Sequence, residues 1–78
     1  MDIQVLGSGC ANCRNTIALI EQVAREQGVA VQVRKVDDMR QIVAYGVMAT
    51  PGVVVDGRVV HAGGVPQRAQ VAQWLQPG

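Results

Sequence analysis

Apolar positions along this chain change rhythm repeatedly, and each change marks an element. In residues 2–6 Ile3 and Val5 alternate with polar neighbours, which predicts a short strand ending at Gly7-Ser8-Gly9. Over residues 11–27 the period lengthens. Cys13, Ile17, Ile20, Ala24 and Gln27 recur at steps of three and four, Leu19 and Val23 widen the apolar face, and Glu21 and Arg25 form an i,i+4 pair on the wet side. That is an amphipathic helix, with Gly28 as its stop. Residues 29–36 are valine-rich and alternate after Val31, a second strand. Asp37 or Asp38 caps a short helix over about 38–45 whose inward residues are Met39, Ile42 and Val43, and Gly46 ends it. Val53-Val54-Val55 reads as a buried strand, Asp56-Gly57 as a hairpin turn, and residues 58–61 as the returning strand. Gly63-Gly64 breaks that strand. Pro66 suits a first helical position, and Val71, Trp74 and Leu75 form the inner face of a last helix.

The predicted order is βαβαββα, an α/β fold with a four-stranded mixed sheet and three helices. The first two strands are joined through a helix and should be parallel, with a right-handed crossover. The hairpin supplies an antiparallel edge. No linker, repeat or low-complexity tract divides the chain, so residues 1–78 are read as a single domain.

Composition narrows the function classes. The chain has 78 residues, about half of them apolar (49%), and a formal net charge of +1. Near neutrality leaves no electrostatic footprint for nucleic acid, and Tyr45 and Trp74 alone cannot build a base-stacking platform. No apolar run reaches the roughly 20 residues of a membrane span, and residues 1–6 lack the basic start and apolar block of a signal peptide. The expectation is a cytoplasmic monomer with no nucleic-acid partner, no membrane insertion and no cofactor.

Two cysteines remain, and they sit three apart in Cys10-Ala11-Asn12-Cys13. A bridge here closes so short a loop that its entropic stabilisation is only about 2 kcal/mol. Reactivity is therefore a better reason for the pair than stapling. A thiol pair on a loop that opens into a helix can cycle between dithiol and disulfide. It can also supply two ligands to a soft metal.

The element order, together with Gly9-Cys10-Ala11-Asn12-Cys13, Tyr45-Gly46-Val47-Met48-Ala49-Thr50-Pro51 and the Asp56-Gly57 turn, resembles the thioredoxin fold without its N-terminal strand and helix. It looks closest to the short thioredoxin-like, redox-active disulfide proteins. The resemblance covers essentially the whole chain. It implies a cis bond between Thr50 and Pro51 beside the cysteine pair, leaving the Thr50 backbone to pair with an extended substrate strand. The chain departs from thioredoxins proper at three places. Gly9 stands where they have Trp, Ala11-Asn12 replaces Gly-Pro, and Gln4 occupies the position of a buried acid. Gly63-Gly64 is similar to the glutathione-binding pair of glutaredoxins but lies two residues farther from Pro51, without the usual acidic residue after it.

With a helix starting near residue 11, Cys10 lies at its mouth. There the main-chain N–H groups and the helix dipole favour thiolate, and Arg14 adds positive charge. Cys10 is thus the expected nucleophile and Cys13, one turn in on the inner face, the resolving thiol. Gly9, Ala11, Asn12, Thr50, Pro51, Gly63 and Gly64 are the expected substrate-binding surface, and Gly7, Ser8 and Gly9 let the loop approach a partner closely. The expected partner is a protein carrying a disulfide or dithiol, a reductase among the candidates. His61 reads as a strand-end surface residue rather than a ligand, and Trp74 as a cap on the core.

The competing reading is a carrier for Cu(I), Zn(II) or arsenite using the same two thiolates. Heavy-metal-associated domains also place Cys-x-x-Cys after a first strand. Their order is βαββαβ, ending in a strand, and they lack a Pro beside the cysteines. A last helix over residues 66–75 and the Thr50-Pro51 dipeptide favour redox chemistry.

Overall fold

The computed structural model describes residues 1–7 and 11–76. In order, its elements are β1 (Asp2–Leu6), α1 (Ala11–Gln27), β2 (Gln32–Val36), α2 (Met39–Ala44), β3 (Gly52–Val55), β4 (Arg58–Ala62) and α3 (Arg68–Trp74). The strands form one mixed sheet in the order β2-β1-β3-β4. β1 is parallel to β2 and antiparallel to β3, and β3 is antiparallel to β4. The predicted βαβαββα order and the parallel first pair are what the chain adopts.

The two faces of β1 organise the core. Ile3 and Val5 join Ile20, Val23 and Ala24 of α1, Val53 of β3, and Val71 and Leu75 at α3 in one buried cluster. Leu6 joins Ile42, Val47 and Val54 in a second cluster on the α2 side. Burying each such Ile, Leu or Val side chain contributes about 1.5–3 kcal/mol, so these two clusters supply most of the drive to fold.

Helix ends follow from local chemistry. At the end of α1, Gly28 has φ 68°, its N–H donates to the Arg25 carbonyl at 3.3 Å, and the Val29 N–H reaches back to the Ala24 carbonyl at 2.9 Å. This is the paired-bond stop that needs a left-handed residue, which glycine adopts without strain. The same device closes α2 at Gly46, where Gly46 N–H donates to Val43 and Val47 N–H to Ile42. Asp38 caps the start of α2 by accepting from the Arg40 N–H at 2.9 Å. Between β3 and β4, Asp56 (φ 48°) and Gly57 (φ 86°) form the two left-handed positions of a tight hairpin turn. The Asp56 carboxylate also accepts from the Asp2 N–H at 2.9 Å.

Several expectations need correction. β2 starts at Gln32 rather than residue 29, because Val29 is spent on the α1 stop and cross-strand pairing begins only opposite the start of β1. Gln27 is exposed rather than part of the apolar face; its Nε2 donates to the Ala72 carbonyl at 3.3 Å. Met39 and Val43 point outward, 68% and 66% exposed. A helix of six residues lays one side chain, Ile42, on the sheet. Pro66 precedes α3 instead of opening it. The Gln67 N–H is taken by Gln70 Oε1 at 2.9 Å, which fixes Gln67 as the extended cap and Arg68 as the first helical residue.

Candidate functional site

The first turn of α1 carries the described half of the cysteine motif. Ala11 and Asn12 are exposed, whereas Cys13 is fully buried. No acidic side chain lies in this turn to offset the positive end of the helix. One turn on, Thr16 is fully buried, and its Oγ1 donates to the Asn12 carbonyl at 2.7 Å. A hydroxyl can occupy the inner face because it satisfies itself on its own helix.

The Cys13 sulfur lies against the backbone at the end of β1. Gly7 is buried, and its N–H donates to the Val36 carbonyl at 2.8 Å. A Cβ built on Gly7 would overlap Cys13 Sγ, and would lie 3.6 Å from both Cys13 Cβ and Thr50 Cβ. Gly7, Cys13 and Thr50 therefore meet at one point. The expectation that Gly7 serves close approach to a partner is corrected: its missing side chain is filled from inside by the cysteine.

The loop before β3 forms the other wall. The Thr50–Pro51 peptide is cis. Thr50 is exposed and Pro51 buried. The Pro51 carbonyl accepts from the Gly63 N–H at 2.9 Å, and Gly63, at φ 88°, comes within reach of Ala49. Gly63 thus adjoins Thr50-Pro51. Gly64 is exposed, and its carbonyl lies 3.0 Å from His61 Nε2. The His61 ring stacks obliquely on Trp74 with centroids 5.9 Å apart. His61 is therefore a brace between the Gly63-Gly64 turn and α3. Gly9 and Cys10 lie outside the described residues, as does Ser8.

The thioredoxin-domain family model matches residues 1–76. The chain belongs to the thioredoxin-domain family. It is 33% identical over 75 residues to a thioredoxin of Methanothermobacter thermautotrophicus, covering 96% of this chain and 97% of that one. A thioredoxin of Methanocaldococcus jannaschii is 30% identical over 74 residues, covering 95% and 85% respectively. A probable thioredoxin of Methanothermobacter marburgensis is 31% identical over 65 residues, covering 80% and 75%.

In this thioredoxin-family chain the surface beside Thr50 is apolar. Met39, Ile42, Val43, Gly46, Val47, Met48 and Thr50 line an open groove of about 490 Å³, and Met48 is fully exposed. Among the described residues, no three His, Cys, Asp or Glu side chains gather as a metal-binding group. Among them, too, no helix is long and apolar enough to cross a membrane.

Sequence reasoning missed the roles of four residues. Thr16 sits three residues after Cys13 and four before Ile20 on the buried face of α1, and its hydroxyl keeps it out of an apolar pattern. Gly7 was read for flexibility when its packing mattered. Met39 and Val43 were assigned to the core because a periodic pattern carries no information about whether another element covers it.

Proposed function

We propose that this protein is a small thiol–disulfide oxidoreductase in which Cys10 and Cys13 are the redox pair and a dedicated protein is the substrate. The observation that carries this reading is the fully buried Cys13 on the first turn of α1, packed against Gly7 beside Thr50, in a chain of the thioredoxin-domain family. A thiol so shielded suits resolution better than first attack.

The Cys10 thiolate attacks one sulfur of the partner disulfide, and the partner's other sulfur leaves as a thiolate. The Cys13 thiolate then attacks the Cys10 sulfur of the mixed disulfide. The bond to the partner breaks, its electron pair leaves on the second partner sulfur, and Cys10–Cys13 closes. Two electrons pass to the partner, whose thiolates take protons from solvent. A dithiol reductant returns the pair to its starting state.

Gly9, Ala11, Asn12, Thr50, Pro51, Gly63 and Gly64 form the surface over which the partner lies in this proposal. The groove reaching Thr50 gives the polypeptide flanking the partner's cysteine an apolar seat, which supports a protein rather than a small-molecule substrate. A cytoplasmic setting belongs to the same reading, since a pair three residues apart is built for turnover more than for stapling. The competing metal-carrier reading calls for the element order βαββαβ, whereas the described residues run βαβαββα.

Intact-mass spectrometry in defined redox buffers tests the proposal. The expected result is a reversible loss of two hydrogens that Cys13→Ala abolishes. Two thiols that stay reduced under mild oxidant would refute it.

A further inference from the structure

We infer that Gly7 is a positioning residue for the resolving step: the missing side chain at this position sets where the Cys13 sulfur stands. The inference rests on Cys10 and Cys13 being the redox pair.

Backbone conformation does not demand a glycine here. Among the described residues the glycines with left-handed φ are Gly28, Gly46, Gly57, Gly63 and Gly64; Gly7 is not among them. Space demands it. Of the three atoms nearest a Cβ at position 7, two lie at 3.6 Å, ordinary contact, and only Cys13 Sγ is overlapped. The strand end cannot easily retreat, because the Gly7 N–H is bonded to the Val36 carbonyl and Leu6 before it is buried. An alanine is therefore accommodated by moving the sulfur. The cheapest movement is rotation about χ1 to another staggered well, and in a helix those wells are few.

Such a movement costs some stability and far more in chemistry, because the displaced atom is the one that reacts. Closing a disulfide needs a narrow placement of both sulfurs. A misplacement of about 1 Å at a reacting centre can slow a step about a hundredfold. The first step, attack by Cys10 on the partner disulfide, does not use the Cys13 sulfur. The second step, in which Cys13 Sγ bonds to Cys10 Sγ and expels the partner thiolate, does. Gly7→Ala should therefore separate the two.

The experiment uses the full chain, reduced and mixed with glutathione disulfide, then acid-quenched over time for intact mass. Wild-type protein should pass to the internal disulfide without accumulating the glutathione adduct. Gly7→Ala should accumulate that adduct and resolve it about a hundredfold more slowly. Wild-type-like resolution in Gly7→Ala overturns the inference. A wild-type protein that never forms the internal disulfide overturns the redox reading itself, a distinct result. Denaturant unfolding supplies a second test that holds even if Gly7→Ala folds poorly. In a Cys13→Ala background the overlapped sulfur is gone, so adding Gly7→Ala should cost little there and more in the wild-type background. Equal costs in both backgrounds would show that the sulfur is not what Gly7 accommodates, and would overturn the inference.

Discussion

The Gly63 N–H donates to the Pro51 carbonyl at 2.9 Å, tying the end of β4 to the loop that walls the cysteine site. Gly63 has φ 88°, and a Cβ there would lie 3.3 Å from Ala49 Cβ. Gly63→Ala is expected to lower stability by about 1–2 kcal/mol, the cost of a left-handed non-glycine residue. Urea unfolding measures this. Because Ala49 directly precedes Thr50, the same variant should also slow turnover of a protein disulfide.

The two thiols should react in order. Cys13 is fully buried, so iodoacetamide at neutral pH should label Cys10 first, with Cys13 following only on local opening. Peptide mapping of singly alkylated protein reads the site. Equal or reversed labelling would overturn the proposed roles.

The apolar groove separates docking from folding. Val43 and Met48 are 66% and 101% exposed, so Val43→Glu and Met48→Glu should change stability by no more than about 0.5 kcal/mol. Each should lower kcat/KM for a peptide disulfide flanked by leucines about tenfold, equivalent to about 1.4 kcal/mol. A glutamate-flanked peptide should show no such loss. Identical effects on both peptides would count against the groove as the seat of the partner.

Position 4 bears on the range of substrates. Gln4 is half-buried on β1 opposite Arg34 and Val54, and it offers no carboxylate at the position where thioredoxins proper have a buried acid. Reduction of insulin with dithiothreitol as donor should accordingly be slow. A rate equal to that of an ordinary thioredoxin would end the dedicated-partner proposal while leaving the redox pair in place.

Ile20 tests the larger core. It is fully buried between α1 and the sheet in the cluster with Ile3, Val5 and Val71. Ile20→Ala should cost about 2–5 kcal/mol. That is a large share of the stability of a small domain, and thermal unfolding should show it clearly.

The chain's own pattern determined the order and type of every element, the parallel β1–β2 pair, the Asp56-Gly57 turn and the stops at Gly28 and Gly46. These depend on periodicity and on backbone preferences that act within a few residues. The spacing of the cysteines, together with Thr50-Pro51, was also legible, because the motif and its place in the element order are both local in sequence. What the sequence could not decide were relations between elements. Whether Met39 and Val43 are covered depends on what packs over α2, and no residue of α2 encodes that. The starts of β2 and α3 shifted because bonds made by Val29 and Gln67 took residues that the apolar pattern had assigned elsewhere. The role of Gly7 was the least visible. Glycine in sequence signals freedom of φ, whereas here its use is empty volume. Only folding brings Cys13, six residues on, and Thr50, forty-three residues on, to fill that volume.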